Sequence, residues 1–469
     1  MAVSPQARET QDKARSKASA VEPTHLGLPP GPRLPASLQA AMRLWRYPQF
    51  SDRYHARFGD TFSVRVGALP VAVLTKDRDA IRRLFTGDPL MKRHGNDVLG
   101  PFLGGESVLV LEPAAHLRRR KMLLPPFHGE RVQSYARLME RLTGAALDRV
   151  TEGETTAIQP IAQELTLDVI LHAVLGLDDA RTRDRLRRNF DAMVTPLSNL
   201  AFFVPKLAQR SRWNLPGERF WRIKDEIDGL LLGHIAATRA DPHLEEREDV
   251  LAMMILARNE EGEGLSDQQL HDELVTLITA GHETTATAIA WGVELLAHNR
   301  DVMLQARDAD DAYVDALVKE TLRMHSPVPI AAARYLLEPF PIGDWTILPG
   351  VGLIVDAYGV HHDPDVYPEP HAFRPERFLG EQPDGYSFVP FGGGAHRCVG
   401  ATLAMLEMKV VLGEILARFD VKPASAEKAR PVPRAVTLAP RGGARVFLHR
   451  RAPSTRQKAE LLRRPPGGA

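Results

Sequence analysis

Phe391-Gly392-Gly393-Gly394-Ala395-His396-Arg397-Cys398-Val399-Gly400 contains the only cysteine in a chain of 469 residues. A single thiol cannot close an intramolecular disulfide, so it serves packing, reactivity or metal ligation. Three consecutive glycines admit positive φ and close approach to a large flat group, and they leave amide N–H groups free to point at a sulfur. Beyond Gly400 the pattern turns helical, with Leu403, Leu406, Val410, Leu412 and Ile415 on one recurring spacing. Cys398 therefore stands at a helix N-terminus, where the macrodipole and unpaired amides favour a thiolate. The plain alternative is a buried small apolar residue. Against it, a thiolate on a glycine loop, preceded by His396 and Arg397, suits axial ligation of haem iron, with the basic pair meeting a propionate.

Composition sets the frame around this loop. A net charge of +1 and 44% hydrophobic residues describe an ordinary globular protein, without the basic bias that would point to nucleic acid. One cysteine fits a reducing cytoplasm better than a disulfide-stapled secreted protein. Residues 1–27 carry Arg8, Lys13, Arg15 and Lys17 and no apolar run, so the expectation is neither signal peptide nor transmembrane anchor. The tails, residues 1–27 and 451–469, read as disordered and residues 28–450 as one continuous domain.

Several stretches carry local signals. Thr61-Phe62-Ser63-Val64-Arg65-Val66 alternates as a strand and Val71-Ala72-Val73-Leu74-Thr75 answers it as a hairpin. From Asp77 to about residue 300 the pattern is mainly helical. His116-Leu117-Arg118-Arg119-Arg120-Lys121 is basic and helical, with His116 and Arg120 four apart on one face; alone it would read as a solvated face. Residues 93–110 and 197–207, the latter with Phe202 and Phe203, form apolar, proline-bearing loops.

The longest helical candidate covers residues 266–297, with Ser266 as N-cap. Its centre, Leu277-Ile278-Thr279-Ala280-Gly281-His282-Glu283-Thr284-Thr285, places polar groups where an apolar helix would bury them at a cost. Gly281 weakens the helix and Thr284 can bond back to the Ala280 carbonyl, an arrangement expected to open a bulge. The resulting notch has room for a diatomic molecule, and the Thr284 hydroxyl beside the Glu283 carboxylate can relay protons to it. Glu320 and Arg323 share a helical face, three apart. Two prolines, Pro327 and Pro329, then end that helix. His361-His362 has no second ligand pair at metal-binding spacing and reads as surface histidines. Val436-Thr437-Leu438 and Arg445-Val446-Phe447-Leu448 flank Gly442-Gly443 as a terminal hairpin.

The decapeptide closely resembles the haem-binding loop of the cytochrome P450 family, and the other signals recur in that family's order across residues 30–450. The resemblance implies a mainly α fold, a helix-rich triangular domain with a small β region from both chain ends, around haem b (iron protoporphyrin IX) held by the Cys398 thiolate. It implies a cofactor-binding set of His116, Arg120, Ala280, Gly281, Arg334, Phe391, Gly394, His396, Cys398 and Gly400. Phe373-Arg374-Pro375-Glu376-Arg377-Phe378 resembles the family's Phe-x-Pro-Glu-Arg-Phe, whose arginine, Arg377, completes a structural cluster with Glu320 and Arg323. Arg118, Arg119 and Lys121 would then face outward. One departure is Glu112-Pro113-Ala114-Ala115, where the family often has Asp-Gly before the His-x-x-x-Arg helix.

The activity so implied is a cytoplasmic, monomeric haem-thiolate monooxygenase, with Thr284 and Glu283 organising proton delivery and one atom of O2 entering an apolar small molecule. A peroxygenase or isomerase on the same fold, or a non-catalytic haem sensor, are the alternatives. Phe202, Phe203, Val328, Ile330 and Leu438 are the candidate pocket residues. Electrons would come from a separate acidic ferredoxin or flavodoxin with its NAD(P)H-dependent reductase, docking near Arg118, Arg119, Lys121 and Lys409 by charge steering.

Overall fold

Ser266 starts the helix on which the others rest. Its hydroxyl accepts from the Gln269 N–H at 3.2 Å while the Gln269 side chain accepts from the Ser266 N–H at 3.0 Å, a reciprocal cap. The computed structural model describes residues 25–451 except 67–68, 88–92, 95–98, 128, 178, 198–215 and 381. Its helices of ten residues or more are α1 (Ala36–Trp45), α2 (Tyr47–Phe58), α3 (Arg78–Gly87), α4 (Pro113–Leu123), α5 (Ala136–Asp148), α6 (Ile158–Leu175), α7 (Ala180–Leu197), α8 (Pro216–Arg239), α9 (Asp267–His298), α10 (Asp311–Met324) and α11 (Ala401–Arg418).

At 32 residues α9 runs about 48 Å, at about 1.5 Å per residue. Its apolar residues lie all round rather than in one stripe, which is the pattern of a helix buried by neighbours on every side. Helices α6, α8, α10 and α11 supply those neighbours, and Leu274, Ile278, Ile289, Trp291 and Val293 are almost wholly buried among them. One cluster of buried apolar side chains runs from Leu103 to Leu448 around this axis.

The strands are β1 (His25–Leu26), β2 (Thr61–Val66), β3 (Leu69–Thr75), β4 (Arg93–His94), β5 (Thr155–Ala157), β6 (Ile330–Tyr335), β7 (Phe340–Ile342), β8 (Trp345–Ile347), β9 (Gly352–Asp356), β10 (Phe419–Pro423), β11 (Pro431–Arg434), β12 (Thr437–Pro440) and β13 (Arg445–Arg450). The expected hairpin β2–β3 forms and extends into a sheet of order β2-β3-β9-β6-β4, in which only β3 and β9 run parallel. Smaller sheets have the orders β1-β8-β7, β10-β13-β5 and β11-β12. The β region does draw on both chain ends. The fold is mainly α with small sheets, as the resemblance implied.

The terminal hairpin is different from the expectation. β12 pairs with β11, whereas β13 lies between β10 and β5. Gly442 and Gly443 both have positive φ (82° and 77°) and carry the chain away, and the Gln159 and Ile158 N–H groups capture the carbonyls of Gly443 and Ala444. Pro431 and Pro433 hide β11 from a pattern search, because proline in a strand marks an edge.

Candidate active site

Three backbone bonds shape the cysteine loop. The Cys398 N–H donates to the Phe391 carbonyl (2.9 Å), the Gly392 N–H to Val389 (3.1 Å) and the Arg397 N–H to Gly394 (3.2 Å). Gly392 and Gly394 have φ of 65° and 63°. A Cβ on Gly393 would stand 2.1 Å from the Phe85 ring, one on Gly394 2.3 Å from the Phe85 carbonyl, and one on Gly392 2.7 Å from the Ala331 carbonyl. The close approach that the glycines permit is therefore to protein: the loop is wedged between the end of α3 and β6. Phe85 carried no signal in the sequence, because its partner lies some three hundred residues away.

Cys398 precedes α11 by three residues. Its side chain is solvent-accessible, yet protein surrounds it on most sides, as for a group on the wall of a recess. That burial pushes the thiol pKa up, outweighing the Gly400 N–H on the sulfur and the charges of Arg120 and Arg397, which pull it down. Burial thus opposes the thiolate that the helix-terminal position favours. A metal that ligates the sulfur would displace the proton.

Two cations, Arg120 and Arg397, act on the sulfur, and further basic residues stand on the neighbouring elements. Arg120 is half-buried in the fields of Cys398 and Arg397, and no carboxylate among the described residues pairs with it. His116 and His396 stack with ring centroids 4.0 Å apart. Arg334, almost fully buried on β6, donates to the Ala333 carbonyl at 2.9 Å. One sulfur ligand plus arginines and imidazoles fit an iron tetrapyrrole with carboxylate substituents: Cys398 would take the metal, and His116, Arg120, Arg334 and His396 the acidic edge.

Helix α9 supplies the second wall. The Thr284 hydroxyl donates to the Ala280 carbonyl at 2.7 Å, as its spacing indicated, but the helix stays α-helical from Asp267 to His298 and no bulge opens. The hydroxyl adds a second bond to that carbonyl without displacing the helical one. Gly281 has another use: a Cβ there would come within 2.9 Å of Ile170, so glycine lets α6 cross α9 closely. Ala280 is exposed and Thr284 half-buried, which marks the open face of the helix.

Glu283 points elsewhere. Its carboxylate is almost fully buried between α6 and β11, where it accepts from Arg434 Nε (2.8 Å), Gln163 Nε2 (2.7 Å) and Gln159 Nε2 (3.4 Å). Burial pushes its pKa up, and Arg434 and Gln163 pull it back down. Arg434, Gln159 and Gln163 were missed from sequence, since no local spacing links them to Glu283. His282 is a core histidine, nearly fully buried and pushed down to about 4 by burial.

Glu320 and Arg323 form a buried bidentate pair, Nε to Oε2 at 2.7 Å and Nη2 to Oε1 at 2.8 Å. Arg377 Nε joins at 3.4 Å and the Arg374 N–H donates to Glu320 at 2.9 Å. Arg323 also donates to the carbonyls of His361 (2.7 Å), Pro370 (2.9 Å) and Ala372 (3.4 Å), stapling the run that leads to Cys398. Contrary to the surface reading, His361 is fully buried and accepts the Val389 N–H on Nε2 at 2.9 Å. That acceptance needs a neutral ring, and burial, aided by Arg323, pushes its pKa down to about 3.

Other expectations are corrected in detail. Arg119 does not face outward: it is buried, bonded to Glu273 at 2.9 Å and paired with Glu106 at 3.3 Å. The helical period explains this, since 116, 119, 120 and 123 share a face. Arg118 is exposed, Lys121 is exposed and paired with Glu260 (2.7 Å), and Lys409 pairs with Asp311 (3.3 Å). Val328 is half-buried, Ile330 packs on the cluster of Phe50, Tyr54 and Phe62, and the Leu438 peptide bonds to Pro327 and Trp291. Phe202 and Phe203 lie outside the described residues. No described helix is long and apolar enough to cross a membrane.

Comparison with known proteins gives the family. A family model described as Cytochrome P450 matches residues 27–445. A Mycobacterium tuberculosis protein provisionally named cytochrome P450 137 is 35% identical over 441 residues, covering 90% of this chain and 92% of its own. A Mycobacterium bovis protein provisionally named cytochrome P450 135B1 is 36% identical over 436 residues, covering 90% and 91%. Among solved structures, retinoic acid bound cyanobacterial CYP120A1 superposes with a TM-score of 0.79 at 24% identity, over 91% of this chain and 100% of that one, a likeness in fold. By sequence, fold and the residues around Cys398, the chain belongs to the cytochrome P450 family, whose members are haem-thiolate monooxygenases.

Proposed function

We propose that this chain inserts one oxygen atom of O2 into an apolar organic substrate, using electrons delivered by a separate ferredoxin or flavodoxin. The observation that carries this reading is the meeting of Cys398, the sole sulfur nucleophile, with Arg120, Arg397 and the His116–His396 stack. Haem, when bound, supplies the redox and oxygen chemistry. The residues supply the rest. Arg120, Arg334 and the two imidazoles would hold the cofactor's acidic edge, and Gly392 to Gly394 keep the sulfur's loop in place against Phe85.

On the other wall the Thr284 hydroxyl stands on the open face of α9 with its proton on the Ala280 carbonyl, so its oxygen accepts from an incoming group and its proton is released only when that bond breaks. Glu283 is the proton reservoir behind it. Arg434, whose side chain is 40% exposed, reaches Glu283 from the surface, so a shift of that one side chain would open the carboxyl to solvent protons, the guanidinium itself giving up none. Burial raises the Glu283 pKa despite the Arg434 and Gln163 bonds, which brings the carboxyl closer to the protonated form that a donor needs.

The test is oxygen-isotope incorporation by the haem-loaded protein with NAD(P)H, a reductase and a ferredoxin or flavodoxin, across a panel of fatty acids, steroids and terpenes. One labelled atom per product from labelled dioxygen is the expected result. Label arriving only from hydrogen peroxide would make the chain a peroxygenase, and haem binding without product would make it a binder.

For the redox partner, the proposed surface is Arg118, Lys121 and Lys409, joined by exposed Arg397 beside Cys398. Arg119 is no part of it. The double charge reversal of Arg118 and Lys121 to glutamate should slow the first reduction by an acidic partner about tenfold or more at low ionic strength, and flatten its salt dependence. A rate and salt slope equal to wild type would rule this surface out.

A further inference from the structure

His271, in the second turn of α9, is 3% exposed. Its Nδ1 lies 2.9 Å from Oδ1 of Asp272 and its Nε2 3.0 Å from Oδ1 of Asp228 on α8. Ionised carboxylates accept and cannot donate, so both contacts are hydrogen bonds only when the ring carries both protons. Both carboxyls are indeed held ionised. Burial alone would raise their pKa values, but the His271 bonds, with Lys224 on Asp228 and the Glu106 N–H on Asp272, bring them below the ordinary range.

A third segment joins at the same point. The Glu106 N–H donates to Asp272 Oδ2 at 2.9 Å, and Gly104, with φ of 96°, lies so close that a Cβ would fall 2.0 Å from the Asp272 carboxyl carbon. The charged groups acting on the ring are Asp228 and Lys224 from α8 and Asp272 from α9, and the Glu106, Glu273 and Arg119 set from the loop, α9 and α4 adjoins it through the Glu106 N–H on Asp272. Lys224 binds Asp228 at 2.8 Å, Arg119 binds Glu273 at 2.9 Å, and Gln268 donates to Asp272 at 2.7 Å. Burial pushes Glu273 up to about 8, so the charges fixed at the ring near neutral pH are Asp228 and Asp272 against Lys224, and a doubly protonated His271 balances them. No grouping of histidine, cysteine and acidic side chains among the described residues is arranged to hold a metal ion, so a proton is the ring's natural partner.

We propose that His271 is a proton-operated clasp joining α8, α9 and residues 104–106, closed when its ring is doubly protonated and loosened as pH rises. Loss of one proton leaves one of the two carboxylates facing a nitrogen lone pair in a buried site, where an unpaired charge is costly. The direction of titration agrees: burial pulls the ring's pKa down, but the bonds to Asp228 and Asp272 outweigh it and hold it above the ordinary histidine value. The clasp's contribution is therefore complete below the unfolded value near about 6.5 and lost as pH rises through the higher folded one. Residues 93–110 correspond to a region that covers the substrate pocket in the resembled family, and any role of the clasp in substrate access rests on that pocket-cover reading; the clasp itself does not.

Amide hydrogen exchange on the haem-loaded protein tests the clasp, with rates corrected for intrinsic pH dependence. Between about pH 6 and about pH 9, protection of residues 104–106 and 220–239 should fall about tenfold or more, the equivalent of one pKa unit; residues 107–110 are left out because the Val108 N–H is on Glu273, which burial pushes up to about 8. His271→Arg, a permanent two-pronged donor, should keep its protection at both pH values, and His271→Gln should have low protection at both. Wild-type protection that does not change with pH, or a pH dependence that survives in His271→Arg, would overturn the proposal. Ring nitrogen shifts of His271 in the wild-type protein need no variant to fold: a singly protonated ring at pH 6 would also overturn it. The binding rate of phenylimidazole separates the two parts. A rate that rises with pH alongside the exchange supports control of access, whereas a constant rate beside a loosening clasp overturns that control and the pocket-cover reading together.

Discussion

Cys398→Ser should lose oxygenation by about three orders of magnitude or more while the metal-free chain keeps its fold. The loop's geometry is made by backbone bonds, Cys398 N–H to Phe391 and Arg397 N–H to Gly394, which serine preserves. The side chain is solvent-accessible, so the change in apo stability should stay within about 0.5 kcal/mol. What disappears is the ligand: a serine hydroxyl is far harder to ionise than a thiol and binds soft metal states poorly. Reduced, CO-treated wild type should show the Soret band of thiolate ligation and the variant should not. Wild-type protein with the histidine-ligated band in its active form would sink the assignment of Cys398.

Arg323→Ala carries the largest expected loss of stability. Arg323 is fully buried, and its removal leaves Glu320 without its bidentate partner and the carbonyls of His361, Pro370 and Ala372 without a donor. Breaking a buried pair by removing one member costs about 3–5 kcal/mol, a large part of a typical total of about 5–15 kcal/mol. Urea unfolding of the apo chain would measure it, and haem retention should fall in parallel because the stapled run leads into the Cys398 loop. Replacing Glu320 and Arg323 together by methionine should cost less than Arg323→Ala alone, since no unpaired charge is then buried. A loss below about 1 kcal/mol for the single variant would show that Arg377 and the local amides suffice for Glu320.

These two residues stood out in the sequence because their signals are local. The cysteine loop, the Ser266 cap and the Glu320–Arg323 spacing are each written within a few helical turns, and helix geometry converts spacing into position directly. Arg119 belonged to the same kind of signal, since it is three residues from His116; its charge drew it to the surface in the reading, and Glu273 holds it inside. The partners of Glu283 are another matter. Gln163 is 120 residues away in sequence and Arg434 is 151, so only the crossing of α6 over α9 and the docking of β11 bring them together. The same limit applies to β13, whose choice of β5 and β10 over β12 is settled by tertiary pairing. Phe85 behind the glycines likewise becomes visible only when α3 and the loop are side by side.

The position of β13 also governs how this protein can be engineered into a self-sufficient electron-transfer chain. Arg451 leaves β13 with its N–H on the Arg418 carbonyl and its guanidinium on Leu416, at the C-terminal end of α11, whereas Cys398 lies just before the N-terminal end. The 18 residues of α11 separate those points by about 27 Å. A reductase domain fused behind Arg451 would thus begin at the wrong end of the helix for the proposed docking surface around Arg118 and Arg397. A flexible linker needs about 25 residues for its mean reach to match that span, at about 5–6 Å times the square root of its length. A shorter tether would hold the two redox centres apart, so linker length sets the internal electron-transfer rate in any such fusion.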